Sequence, residues 1–431
     1  MLIKSEEPAL AWSPPNGYVA LPSAVEGIEV YGPAPEAEHE DLETFTCRFC
    51  GGAVTYSASQ RALTCPYCGR FQQIDADAVG RAADEYEFTV DAMASPERGW
   101  GEDRQEIACE SCGAVVAVAP NALANTCAFC GSHRVLARAS RGEVVRPTAL
   151  IPFTVAQDAV RAVVSEWLGR GWMRPPELRN AGVLRELVGV YLPYWTFDAA
   201  ARAEWQAEVG RPKTVRYRHG GQWRTRVEVV WRWRSGQVRR RFNDHLVPGT
   251  DHVSRPVLES VGPFNLGHLV EYDAGYLAGW QAHRYDVELA EAWETAKSAI
   301  REAIRRDCYA DSGSAYVRNF KMSVDFADER WRHVLLPVYL CSYKFADQGY
   351  QVIVNGLNGQ VAGQKPVDWR KVWLVIAATF APGACLGLVG LLTLPLGGVG
   401  GALLAVAFFL LAVALIAGIV IFNRARSTEQ G

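Results

Sequence analysis

An α+β fold is predicted by three features of the chain. Four Cys-x-x-Cys-Gly knuckles fall into two matched pairs, the stretch between Val144 and Asp368 mixes helix-period with strand-period apolar patterns, and an uncharged run from Val372 to Asn423 is broken once by Pro and Gly. Together they predict two small ribbons over residues 45–75 and 105–138, a mixed α/β middle domain with antiparallel sheet over 144–368, and a C-terminal two-helix hairpin over 372–422.

The N-terminal 1–44 stretch holds nine acidic side chains against the single basic Lys4, with Pro14, Pro15, Pro33 and Pro35 interrupting any pattern. Such composition predicts a disordered acidic tail. It lacks a basic start followed by an apolar run and a small-residue cleavage site, so no signal peptide is expected. Across all 431 residues, 44 Lys and Arg against 47 Asp and Glu leave a formal charge of −3, which points to no global polyanion partner.

The first ribbon carries Cys47, Cys50, Cys65 and Cys68, and the second Cys109, Cys112, Cys127 and Cys130, with fourteen residues between the knuckles of each pair. Paired short turns at this spacing suit Zn²⁺, which takes four thiolates tetrahedrally. Gly51, Gly69, Gly113 and Gly131 close the knuckles, where the chain must turn back under the metal. The spacers are long enough for a hairpin and too short for a core, so the metal is expected to supply much of each module's folding energy. Four thiolates close the coordination shell, so two structural zinc ions are expected and no catalytic one. A dithiol redox centre would need a thioredoxin-like βαβ setting, and none surrounds these knuckles. His133 is a spare candidate ligand beside a complete set and reads as a surface residue.

In the middle domain, Thr154 is placed to cap a helix through Ala159–Leu168, with Gly169 and Gly171 beyond it. A second helix, about Val287 to Arg306, sets Leu289, Trp293, Ala296, Ile300 and Ile304 on one stripe. Each helix precedes a related strand-like run, Leu192-Pro-Tyr-Trp195 and Leu336-Pro-Val-Tyr339, which suggests a duplicated helix-plus-strand unit. Between them, residues 223–234 alternate, and Ser235-Gly236 reads as a hairpin turn toward Val238 and Phe242.

That alternation raises a candidate anion site. Arg216 and Arg218 share a phase with Arg224, Arg226, Arg232 and Arg234, and pairing of the two runs is expected to crowd guanidiniums on one face. Nucleic-acid phosphate, lipid headgroups or an acidic protein segment, including this chain's own tail, would relieve them. The plainer reading is a solvated Arg face with Trp231 and Trp233 packed beneath it as core.

The uncharged run is long enough for two spans of a bilayer core about 30 Å thick, placed at 372–393 and 402–422 around the break at Pro395 to Gly401. Arg370 and Lys371 precede the first span, while Arg424 and Arg426 follow the second. The positive-inside rule therefore places both termini in the cytoplasm, a reducing compartment that keeps thiols free for metal. The lipid bilayer is thus one expected partner. Cys308, Cys341 and Cys385 are left over and read as buried free thiols, and Pro382 with Gly383 and Gly387 as a kink and a helix contact.

The order of parts resembles a group of bacterial membrane proteins with two N-terminal zinc ribbons and a C-terminal hydrophobic pair. The likeness rests on the four knuckles, on Leu192-Pro-Tyr-Trp-Thr-Phe197, and on Leu335 to Leu340 followed by Val354-Asn-Gly356 and Gly359 to Gly363. Members are often labelled primosomal replication helicases. Related two-ribbon proteins are associated with phage-shock envelope stress, and that resemblance implies a role in recruiting protein partners to the inner membrane. The helicase label finds no support in the residues: none of the seven Lys follows a Gly, so there is no P-loop, and no nucleophile elbow, zincin helix or dinucleotide turn occurs. The expected function is a non-enzymatic, membrane-anchored cytoplasmic adaptor acting on protein partners, without a small-molecule substrate. The alternative is a membrane-tethered nucleic-acid-binding protein that uses the ribbons and the Arg-rich face.

Overall fold

A computed structural model describes residues 18–21, 30–33, 45–89, 98–101, 104–119, 126–139, 144–179, 187–345, 348–396 and 398–430. Residues 1–43 and 44–431 form separate contact units. In the first unit, β1 (Tyr18–Leu21) and β2 (Val30–Pro33) pair antiparallel, with Tyr18 opposite Pro33 and Leu21 opposite Val30. These residues depart from the structureless tail that composition predicts, since Tyr, Val and Leu favour strands locally. The remainder of that acidic tail lies outside the described residues.

In the second unit, β3 (Thr55–Ser57), β4 (Ala62–Thr64) and β5 (Phe71–Gln72) form a small three-stranded sheet. A larger sheet has twelve strands among the described residues. It contains β6 (Tyr86–Glu87), β7 (Gln105–Cys109), β8 (Val115–Val118), β9 (Val135–Ala139), β10 (Ala149–Leu150), β11 (Val188–His219), β12 (Gln222–Pro248) and β13 (Val270–Glu271). It is completed by β14 (Gln281–His283), β15 (Tyr316–Phe345), β16 (Gln348–Asn355) and β17 (Val361–Gly363). The helices are α1 (Gln157–Gly169), α2 (Arg255–Val261), α3 (Leu289–Asp311), α4 (Trp369–Leu392) and α5 (Gly398–Gln430).

The sheet is organised around β11 and β15, which run antiparallel with Leu192 opposite Leu336. On one side β10 pairs parallel with β15, Leu150 opposite Leu335; on the other β14 pairs parallel with β11, Ala282 opposite Tyr191. Each half is therefore strand, helix, long strand and return strand: β10, α1, β11, β12 in the first and β14, α3, β15, β16 in the second. The return strands also agree in register, with Trp195 opposite Val247 and Tyr339 opposite Val354. The suggested duplication thus holds over a longer stretch than the two Leu-Pro runs, and the first strand of each half pairs with the long strand of the other.

The helix stripe falls as expected on α3, where Ala292, Trp293, Ala296, Ile300, Ile304 and Cys308 are buried. It covers the face of β11 that carries Phe197, Ala199, Ala201, Ala203 and Trp205, and Trp293 packs 5.1 Å from Phe197. Two local expectations are corrected. Thr154 is not the cap of α1, whose N-cap is Ala156; its hydroxyl donates instead to the carbonyls of Gly356 and Leu357 at 3.3 and 2.5 Å. Ser235-Gly236 is not a turn, because β12 runs through it with Trp205 opposite Gly236. The reversal is made by Gly220 and Gly221, at φ +59° and +83°. Gly236 is small for a different reason: a Cβ there would stand 2.6 Å from Trp205 Nε1 and 2.5 Å from Asp311 Oδ2, which hydrogen-bond each other.

At the C-terminus, α4 and α5 are long and apolar enough to cross a membrane. They pack against each other, with Gly383 and Gly390 admitting Leu411 and Leu404 of the facing helix at close range. Leu388, Leu392 and Phe408 point outward and are exposed. The side chain of Asp368 caps α4 by accepting from the amides of Arg370 and Lys371, at 3.2 and 3.4 Å. The pair is tied to the rest of the unit: Lys371 Nζ donates to Arg174 O at 2.8 Å, Asp368 N to Met173 O at 2.7 Å, and Lys365 N to Thr428 O at 3.1 Å. Cys308 and Cys341 are buried as expected, whereas Cys385 is exposed on α4.

Candidate metal centres

All eight knuckle cysteines assemble as two groups of four. Gly51 and Gly69 each adopt φ +70°, a backbone state that a side chain resists, and their amides donate to the carbonyls of Cys47 and Cys65 at 2.8 and 3.0 Å. The second ribbon repeats the turn, with Gly113 and Gly131 donating to Cys109 and Cys127, both at 2.9 Å. Within the first group the sulfurs of Cys47 and Cys68 lie 3.6 Å apart, and those of Cys50 and Cys65 3.5 Å. The corresponding pairs in the second, Cys109 with Cys130 and Cys112 with Cys127, are 3.6 and 3.7 Å apart. In each group all four sulfurs lie within 4.8 Å of one another. A tetrahedral ion bonded to sulfur at about 2.3 Å needs neighbouring sulfurs about 3.8 Å apart. Each group is therefore arranged to bind a metal ion, with a spacing consistent with zinc.

The local field favours thiolates unequally. The Phe49 amide, aided by that of Cys50, lowers the Cys47 thiol to about 7. For Cys50 the Gly52 amide pulls down, but the neighbouring thiols of Cys65 and Cys68 outweigh it and push the group up to about 12. In the second ribbon burial opposes ionisation of Cys109, yet the amides of Cys112 and Ser111 bring it to about 7. Burial pushes Cys127 up to about 11. Each site thus offers a ready thiolate and at least one thiol that yields its proton to a bound cation.

Neither ribbon stands alone. Tyr56 of β3 donates its amide to Ala278 O at 2.8 Å and its hydroxyl to Phe153 O at 3.3 Å, while Trp280 Nε1 donates back to Tyr56 O at 2.9 Å. The second ribbon continues the large sheet, since β8 pairs with β14 through Ala117 opposite Ala282 and Val116 opposite His283. Its Phe129 carbonyl, inside a knuckle, accepts from Ser342 Oγ at 2.7 Å and Gln351 Nε2 at 2.5 Å. The spacers are too short for a core, as the sequence indicates, but the ribbons share the core of the middle domain. His133 is exposed, beside Thr126.

The arginines do not converge on one face. In the β11–β12 hairpin, Arg216 stands opposite Thr225 and Arg218 opposite Trp223, while Arg224 and Arg226 face Tyr217 and Val215. Directly opposed residues share a face, so Arg216 and Arg218 lie on one side and Arg224, Arg226, Arg232 and Arg234 on the other. The crowding expected from sequence phase does not arise. Instead Arg226 pairs with Glu228 and lies 5.3 Å from the Tyr217 ring centroid. Of the two tryptophans read as core, Trp233 is 61% exposed and Trp231 half-buried, with Arg318 4.2 Å over its ring; both lie on the face that α3 does not cover, as does exposed Trp223.

Two further groups of potential ligands were not visible in sequence. Glu85, Asp198 and Asp244 surround Arg332, which is fully buried. Arg332 ion-pairs with Asp244, lies 3.6 Å from Glu85, and donates to Thr196 Oγ1 at 2.9 Å and Ala83 O at 3.0 Å. Arg332, together with Arg81 at 3.2 Å from Asp244, offsets part of the charge of that acidic cluster. His252, His283 and Asp286 form the second group, with their ligand atoms mutually within 4.8 Å. They lie 31 and 3 residues apart and match no short motif; His283-x-x-Asp286 is the one local signal.

No family model matches the chain, and no solved structure matches it. The chain is similar to "Uncharacterized protein YdjG" of Bacillus subtilis (strain 168), at 26% identity over 232 residues. The match covers 52% of this chain and 65% of that relative, so the chain spans just under two-thirds of the relative's length.

Proposed function

We propose that this chain is a membrane-anchored cytoplasmic adaptor in which two structural zinc ions rigidify surfaces that bind protein partners at the inner membrane. The observation that carries this reading is mechanical: both four-cysteine groups are fastened to the body that also holds α4 and α5. Tyr56 and Trp280 tie in the first ribbon, β8 and β14 the second, and Lys371 with Asp368 the helix pair. A partner held by a ribbon is thereby held at a fixed distance from the membrane. The basic residues flanking the helices, Arg370, Lys371, Arg424 and Arg426, favour cytoplasmic termini. Four thiolates leave no open position on either ion, which favours a structural role over catalysis. The resemblance to two-ribbon membrane proteins suggests envelope stress as the setting.

Proximity labelling in cells tests the proposal, with three chains compared: full length, one lacking residues 372–431, and one with Cys47, Cys50, Cys109 and Cys112 changed to Ser. Membrane-stress proteins labelled by the full-length chain and lost from both variants are expected. Undiminished labelling of every partner at the membrane after removal of the helices would sink the reading.

A nucleic-acid reading retains one specific observation, the exposed Trp223 directly opposite Arg218, which is a pairing suited to stacking on a base beside its phosphate. Its signature is binding that falls steeply with salt and disappears in Arg216→Glu with Arg218→Glu.

A further inference from the structure

We propose that His252, His283 and Asp286 form a third metal site, which takes one divalent transition-metal ion through two imidazoles and a carboxylate. His283 is fully buried, and its Nδ1 lies 2.8 Å from the carbonyl of Val115. A carbonyl only accepts, so Nδ1 carries the proton and Nε2 presents its lone pair. That lone pair faces another acceptor: Asp286 Oδ2 is 2.9 Å from His283 Nε2. The same carboxylate oxygen lies 3.3 Å from His252 Nε2. Thr250 Oγ1 stands 2.9 Å from His283 Nε2 and 3.2 Å from Asp286 Oδ2, and its one hydroxyl proton serves only one of them. A second proton on His283 would turn the contact with Asp286 into a hydrogen bond; a cation held among the three side chains would satisfy the same lone pairs together.

The distances suit such an ion. Ligands bound at about 2.0–2.1 Å lie about 2.9 Å apart at right angles and about 3.4 Å apart at tetrahedral angles. The observed 2.9 and 3.3 Å fall at these values. The donor from His283 to a backbone carbonyl is the arrangement that orients a metal-bound imidazole. The side chains of His252 and Asp286 are 18% and 28% exposed, which leaves a route in and a coordination position for water. Imidazole and carboxylate donors select zinc, cobalt, nickel or iron(II) over magnesium or calcium.

The internal duplication argues against a purely architectural role. In the first half Ile151 follows Leu150 as His283 follows Ala282, and Thr154 stands where Asp286 does. Both halves make the same backbone bonds: Val155 N to Gly356 O at 3.1 Å, and Val287 N to Gly249 O at 3.3 Å. The equivalent places in the first half are held by Ile and Thr, so the shared backbone pattern alone does not call for the histidine and the aspartate. The site abuts the second ribbon, whose Phe129 ring lies 4.6 Å from His283 and 5.5 Å from His252. A bound ion would therefore couple that ribbon, through Val115 and Phe129, to the middle domain.

The test uses full-length protein in detergent with both four-cysteine groups filled by zinc, titrated with cobalt(II). One further equivalent is expected, giving a visible d–d band without thiolate-to-cobalt charge transfer. His252→Ala and Asp286→Asn should each weaken that equivalent at least tenfold while the ribbon zinc is retained. The double variant His283→Ile with Asp286→Thr, which copies the first half, should keep its circular dichroism and lose the third equivalent. Absence of a thiolate-free cobalt band in the wild type, or its persistence in the folded double variant, would overturn the proposal.

Discussion

Leu192 stands directly opposite Leu336 at the centre of the sheet, and the interactions on either side of that pair come in twos. Three residues beyond Leu336, Tyr339 Oη donates to Val155 O at 2.5 Å; three beyond Leu192, Trp195 Nε1 donates to Val287 O at 2.9 Å. Gly356 N donates to Pro337 O, and Gly249 N to Pro193 O, both at 2.9 Å. Each aromatic side chain pins the entry to a helix, α1 in one half and α3 in the other.

Equivalent bonds should have similar weight. Tyr339→Phe leaves the half-buried Val155 carbonyl without its partner and Trp195→Phe the buried Val287 carbonyl, and each is expected to destabilise by about 1–3 kcal/mol. The Trp change adds lost packing and should be the more severe. Denaturant midpoints of the detergent-solubilised protein check the order.

Arg332 is expected to be the most sensitive buried charge. Arg332→Ala leaves Glu85 without its guanidinium and Asp244 with only the exposed Arg81, and should cost about 3–5 kcal/mol. Burial raises the Asp244 carboxyl against the pull of Arg332, and burial raises Glu85 likewise. A carboxyl raised in the folded state holds its proton more tightly than in the unfolded chain, so its contribution to stability falls as pH rises through the folded value. Loss of Arg332 raises both further. The defect should therefore be smaller at pH 5 than at pH 7, as measured by thermal unfolding at the two values.

Metal affinity at the ribbons should fall as pH is lowered. Cys47 and Cys109 ionise near 7, so below that pH each must lose a proton before binding, in addition to the proton released by Cys50 or Cys127. Each proton displaced weakens binding about tenfold per pH unit. Competition with a chromophoric chelator between pH 8 and pH 6 should give a slope that steepens below neutrality.

The helix pair depends on close approach. A Cβ on Gly383 would stand 2.8 Å from Leu411 Cγ, and one on Gly390 3.0 Å from Leu404 Cγ. Gly383→Leu should separate α4 from α5 at a cost of about 1–3 kcal/mol. Cysteine crosslinking between the helices would register the loss, whereas Gly387, whose nearest neighbour is Ala407 at 3.7 Å, should tolerate Ala.

Sequence made the ribbons legible because metal ligation fixes spacing, residue type and the closing Gly together. The apolar stripe of α3 was legible because one face is buried along its length. The β11–β12 hairpin was not. Alternation assigns residues to two faces but does not say which face a helix will cover, so Trp231 and Trp233, on the uncovered face, read as core. The turn at Gly220 and Gly221 sets the register, and that register sends the two arginine sets to opposite sides. Gly236 gave the same signal as a turn although its smallness serves Trp205. The His252, His283 and Asp286 group arises from tertiary closure and leaves almost no local trace.

The central claim is that the four-cysteine ribbons are part of the body that carries α4 and α5 rather than tethered beads. Hydrogen exchange of the full-length protein in detergent, before and after chelation, tests it directly. Loss of metal should deprotect the Tyr56 amide, bonded to Ala278, and the β8–β14 ladder of Ala117 and Ala282, along with the knuckles. Exchange that accelerates only within the knuckles, with Ala282 and the β14 edge unchanged, would contradict the account.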